Sequence, residues 1–156
     1  MSTDHLRAVS ARIHESFARQ GLMRTMAARL VRIEKGVVEI EVPFSPALTQ
    51  QNGFFHAAAT TAVADTAGGY AALTLMDPED DVLAVEFKIN LLRPAVGDRL
   101  VARGQVLKPG RMLSICRIDV FASDRDGASE SLVATMTQTC FRARRAGSAG
   151  PFPSAD

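Results

Sequence analysis

Asp65 and His56 are the only acidic or basic side chains in the thirty-two residues from Ser45 to Met76, the most apolar stretch of the chain. A lone carboxylate in such surroundings costs free energy unless something compensates it. A residue held at that expense is a candidate for chemistry, here proton transfer from a water or direct attack on an electrophilic carbon. The plainer alternative is a carboxylate bonded to nearby backbone or to Thr61, one helical turn earlier. His56 stands where a helix should begin, after Gly53-Phe54-Phe55. Unengaged amides at a helix start favour negative charge, so the N–H of Ala57 could hold a developing oxyanion. His56 could also cap that helix, and the two roles are compatible. The loop amides Gln50, Gln51 and Asn52 could orient a water or a carbonyl, or could simply be solvated.

Spacing then limits the mechanism. Asp65 lies eight residues beyond Ala57, about 12 Å along a helix. One carbonyl group cannot touch both at about 3 Å within a single chain. Two helices related by a two-fold axis, the start of one facing the middle of the other, would solve this. If both residues serve one carbonyl, a homodimer with two composite sites follows.

Other chemistries find no support. There is no GxSxG elbow, GxGxxG loop or Walker-type loop. The histidines His5, His14 and His56 lack metal-ligand spacing, so neither a metal nor a cofactor is expected. Eighteen Lys and Arg balance seventeen Asp and Glu for a formal charge of +1, which gives no electrostatic reason for a nucleic-acid partner. Only Arg142 to Arg145 is locally basic, and it reads as a short solvated terminus. No secretory pattern opens the chain, and the Ala57–Met76 stretch, rich in Ala, Thr and Gly with Asp65 near its middle, reads as a buried helix rather than a membrane span. Cys116 and Cys140 show no CxxC spacing and read as reduced, buried thiols of a cytoplasmic protein.

The elements that must position these groups follow from periodicity. Leu6, Val9, Ile13 and Phe17 recur at helical spacing, which predicts an amphipathic helix over about 4–20 with Gly21 placed to end it. Two short strands, Ala28–Glu34 and Val37–Val42, flank the turn-friendly Lys35-Gly36 pair. After the long helix come an alternating run over Leu83–Leu91 and strands at Leu100–Leu107, Met112–Ala122 and Leu132–Phe141. Consecutive strands joined by tight turns argue for an antiparallel meander. A helix apolar on all sides must be wrapped, so the order predicts an α+β hotdog fold: a curved antiparallel sheet around a long central helix. One such domain is expected over 1–145, with 146–156 a disordered tail.

The segment from Asn52 through His56 to Asp65 resembles the hotdog acyl-CoA thioesterases of the phenylacetate-degradation type. That family reads G-x-x-H-G-G, then an alanine-bearing helix with Asp nine residues beyond the His; Gly53, His56 and Asp65 keep the spacing. Arg93-Pro94-Ala95 after the Leu83–Leu91 run and the turn Val106 to Arg111 also resemble their family counterparts. The resemblance implies hydrolysis of an acyl-CoA thioester by a homodimer or homotetramer. Asp65 of one subunit would activate water or attack the thioester, while the amide of Ala57 in the other polarises the carbonyl. His56 and Gln50 would position that carbonyl, and Arg93, Lys108 and Arg111 are candidates for the CoA phosphates. The chain departs from the family in having Ala57 and Ala58 for paired glycines, Gln50 for an Asn, and Ala84 for a small polar residue. Those departures keep a second reading open, an acyl-CoA binder on the same fold without turnover. A hydratase is a poorer match, since His56 and Asp65 stand too far apart to act as a pair.

Overall fold

The computed structural model describes residues 3–144, and the stretch 146–156 read as a disordered tail lies outside them. Helix α1 (Thr3–Arg19) is followed by a short α2 (Gly21–Thr25), strands β1 (Arg29–Glu34) and β2 (Val37–Pro43), a 3-10 turn at Pro46–Leu48 and the central helix α3 (Ala57–Leu73). Four strands follow, β3 (Asp80–Leu91), β4 (Arg99–Lys108), β5 (Leu113–Ser123) and β6 (Glu130–Arg144). They form one antiparallel sheet in the order β1-β2-β4-β5-β6-β3, with α3 packed across it. This is the hotdog arrangement.

Helix α3 can lie close to the sheet because its side chains are small. A Cβ on Gly104 of β4 would come within 2.6 Å of the Ala67 carbonyl oxygen, so this strand and helix touch through backbone. Val63, Ala64, Ala67 and Ala71 of α3 are fully buried against Ile40, Leu100, Ile118 and Met136 of the sheet. The helix end is fixed by Thr74, whose hydroxyl donates to the Ala71 carbonyl and accepts from the Gly36 amide in the β1–β2 turn, both at 2.7 Å.

Three expectations need correction. Gly21 does not end α1 but opens α2, and α1 stops at Arg19 because Gln20 turns to an extended conformation, φ −71° and ψ 107°. The basic run near the C-terminus is no solvated tail as far as Arg144: β6 continues through it, with Arg142 paired to Asp77 and Asp80 and Arg144 to Glu79. The run at Leu83–Leu91 begins earlier, at Asp80, and forms an edge strand paired with the last strand of the chain.

The two edges of the sheet differ in chemistry. Strand β1 is short and laced with ion pairs, Arg32 to Glu34 and Glu39 and Arg29 to Glu41. Strand β3 is twelve residues long and leaves Val85, Phe87 and Leu91 about half exposed, at 57%, 45% and 55%.

Candidate active site

The loop before α3 is folded back by the bonds Gln50 N to Phe54 O and Gly53 N to Gln50 O, with Gly53 at a positive φ of 83°. Phe55 N donates to Ala95 O and His56 N to Leu48 O, which tie the helix start to the chain just after β3 and to the 3-10 turn. His56 has extended backbone, and its Nδ1 accepts from the Ala58 amide at 2.9 Å, so the imidazole is the N-cap. The Ala59 and Thr60 amides donate to the His56 carbonyl. Ala57 N–H, the first of the helix, has no acceptor among the described residues and belongs to a residue that lines a cavity of about 460 Å³. Phe54, Phe55, Leu91, Leu92 and Val133 form the apolar wall of that cavity, and Gln50, Asn52, Thr60 and Arg93 its polar members.

The cavity therefore brings together Ala57, Gln50 and Arg93. Gln50 spends its side-chain oxygen on the Asn52 amide, so its NH₂ group remains as a donor. His56 is directed elsewhere, into a second hollow of about 380 Å³ with Leu22, Met26, Leu48, Ala58 and Ala62. Lys108 and Arg111 are at the other end of the molecule. The sheet register sets Lys108 beside Ile115, near the end that carries Asp80 and Gly36, whereas Arg93 follows the opposite end of β3.

Asp65 lines neither cavity. It is half-buried on a partly open stripe of α3 formed by Ala57, Thr61, Asp65 and Gly69 at four-residue spacing. Its partner is neither Thr61 nor neighbouring backbone. Gln138 of β6, fully buried, donates through Nε2 to Asp65 Oδ1 at 2.6 Å and to the Asp65 carbonyl oxygen at 3.1 Å. Burial pushes the Asp65 carboxyl above the usual carboxylate range, and the Gln138 bond opposes that rise. Phe87 is paired with Gln138, Ile89 with Met136 and Leu91 with Ala134. Paired residues share a face, so these apolar side chains lie on the helix side of the sheet. Asp65 thus stands at the margin between α3 and β3, a trough where Phe87 and Leu91 remain partly exposed.

Gln138 was missed in the sequence because it stands 73 residues from Asp65 in an alternating strand where a polar residue reads as outward-facing. The extra, unpaired residue Val85, between Ala84 and Glu86, was missed too. Among the described residues, no group of His, Cys, Asp or Glu is placed to hold a metal ion, and no helix is long and apolar enough to cross a membrane.

The profile of the thioesterase superfamily matches residues 52–129, half of the chain. A solved structure of a thioesterase family protein from Silicibacter pomeroyi is similar at 46% identity and a TM-score of 0.82, covering 86% of this chain and 97% of that one. The PaaI protein of the E. coli phenylacetic acid degradation operon shares the fold, with a TM-score of 0.76 at 18% identity over 91% of this chain and 96% of its own. In sequence, the chain is 21% identical to the 1,4-dihydroxy-2-naphthoyl-CoA hydrolase of Listeria monocytogenes, over 64% of this chain and 81% of that protein.

Proposed function

The chain belongs to the thioesterase superfamily and is a thioester hydrolase of the hotdog fold, and from that premise we propose that its substrate is an acyl-CoA, cleaved at a site shared by two copies of the chain. The observation that carries this reading is the Ala57 N–H, without an acceptor among the described residues at the start of α3 beside the apolar cavity, while Asp65 lies about 12 Å further along the same helix. A carbonyl bound at Ala57 is out of reach of its own Asp65 and needs the partner's Asp65.

The edge strand supplies a way to bring them together. A long, apolar strand edge is a template for pairing with another chain. Antiparallel pairing of β3 with a second β3 across a two-fold axis sets opposite ends of the two protomers side by side. The start of one α3 then faces the middle of the other, and Arg93 approaches the end that carries the partner's Lys108 and the partner's Arg111. Three cations around one groove suit the phosphates of CoA.

In this arrangement the thioester carbonyl oxygen accepts from Ala57 N–H, with Gln50 beside it. The partner's Asp65 takes a proton from water as that water's oxygen attacks the carbonyl carbon. The tetrahedral oxyanion is held at the helix start. Its collapse breaks the carbon–sulfur bond and expels the CoA thiolate, which leaves without a general acid. Direct attack by the carboxylate, through an anhydride that water then opens, uses the same groups. Phe54, Phe55, Leu91, Leu92 and Val133 suit an apolar or aromatic acyl group, and the naphthoyl-CoA hydrolase relative supports that class.

A second reading, an acyl-CoA binder without turnover, is favoured by Ala57 and Ala58, whose methyl groups stand where the family has glycines. A thiol-release assay over short, aromatic and long acyl-CoAs separates the two. Wild type is expected to hydrolyse at least one class, and Asp65→Asn to lose about a hundredfold or more. Folded wild type that releases no thiol from any of them supports the binder, and an equally active Asp65→Asn removes Asp65 from the mechanism.

A further inference from the structure

Both amide protons of Gln138 go to a single residue: Nε2 bonds the carboxylate of Asp65 at 2.6 Å and its main-chain oxygen at 3.1 Å. The other end of the amide gains nothing. Gln138 Oε1 is buried and has no partner among the described residues. A carbonyl oxygen buried unpaired is destabilising, and an unbranched apolar side chain such as Met would fill the same space without that cost. Exchanging the amide's oxygen and nitrogen would set two acceptors against each other, so the carboxylate fixes the orientation. The neighbouring chain is shaped to admit this side chain. Gly68 faces it from α3, and a Cβ there would overlap Oε1 and come within 2.7 Å of Ile118 Cδ1.

We propose that Gln138 is the positioning residue of the Asp65 carboxylate, fixing its rotamer towards the open trough and holding it in the charged, proton-accepting form, with Gly68 as the space that lets the amide reach it. The role rests on the reading of Asp65 as the base. A fully buried donor against one carboxylate oxygen leaves the other free for water. It also offsets the burial that favours the neutral acid. From the sheet, the Cys140 thiol feels the charge of Asp65 but is held well above its usual range by its bond with Cys116 and by burial, and is therefore uncharged where a carboxyl titrates. On α3 itself no other charged side chain accompanies Asp65, and Glu86 and Lys88 of β3 alternate with Phe87 and so point to the opposite face of the sheet.

Two variants test this by different routes: Gln138→Met removes the donor, and Gly68→Ala displaces it without touching Asp65 or Gln138. The first readout is the titration midpoint of the Asp65 carboxyl carbon by NMR, assigned by its loss in Asp65→Asn. The second is the pH profile of kcat and KM for thiol release. Loss of a hydrogen bond to a charged group is expected to raise the midpoint by about one pH unit or more in both variants. The acid limb of kcat should move up in parallel, with kcat down severalfold or more at neutral pH, recovery at higher pH, and KM within about twofold. A midpoint unmoved in either folded variant, or a kcat loss uniform across pH, overturns the proposal. If wild type hydrolyses no thioester, the proposed function falls, while the NMR midpoint still decides the role of Gln138.

Discussion

Position 57 admits a substitution that separates folding from catalysis. Proline is well tolerated at the first residue of a helix, where the N–H has no intrahelical acceptor. His56 already has φ −66° and ψ 142°, the extended conformation that precedes a proline without strain. Ala57→Pro should therefore keep its Tm near wild type in a thermal melt while kcat for thiol release falls about a hundredfold, the loss that follows removal of an oxyanion donor. Asp65 allows a stability prediction. Burial raises its folded carboxyl above the unfolded value, so the cost of ionising it is absent below the ordinary carboxylate range, grows as pH rises through the raised value and is fully present at neutral pH. Asp65→Asn lacks that cost and can still accept from Gln138. It should melt a few degrees higher than wild type at pH 7, and calorimetry at pH 3 should find the advantage gone. Asp65 was legible in the sequence because a charge is conspicuous in an apolar run. Gln138 was not, since its meaning comes from a bond made across the fold.

At the scale of elements, the trough between α3 and β3 is where the apolar face of the sheet is left partly uncovered. Phe87 lies on the helix-facing side of an edge strand yet is 45% exposed, because α3 covers only part of that face. Phe87→Lys would place an ammonium where β3 is proposed to meet a second copy. Analytical ultracentrifugation should find the variant monomeric at concentrations where wild type is dimeric, with thiol release lost in step. The periodicity of α3, β4, β5 and β6 foretold these elements to within a few residues. The short α2 was hidden because five residues give no period, and Gly21 between two helical pieces reads equally as a stop. Strand β3 was visible as an alternating run, but its place beside β6 was not. Local pattern shows which residues alternate and says nothing about which distant strand they pair with.

For the whole molecule, a shared site can be tested by mixing. Neither Ala57→Pro nor Asp65→Asn should be active alone, yet a heterodimer of the two contains one site with an intact Ala57 amide and an intact carboxylate. Co-refolded in equal amounts, the two variants should recover about one quarter of wild-type thiol release, since half the dimers are mixed and each has one working site. A site confined to one chain would recover none. The hotdog architecture could be read from the order of elements alone. The scatter of Arg93, Lys108 and Arg111 to opposite ends could not be read, because it is set by the register of strands that pair across the fold rather than by distance along the chain. The unlike edges of the sheet have a further consequence for assembly. Joining two β3 strands would use up the adhesive border of both protomers and leave only the β1 borders outward, each guarded by arginine–glutamate pairs. Polymerisation in the hydrogen-bonding direction would thereby be terminated after a single addition, so that a sticky rim would not make the protein a seed for fibres.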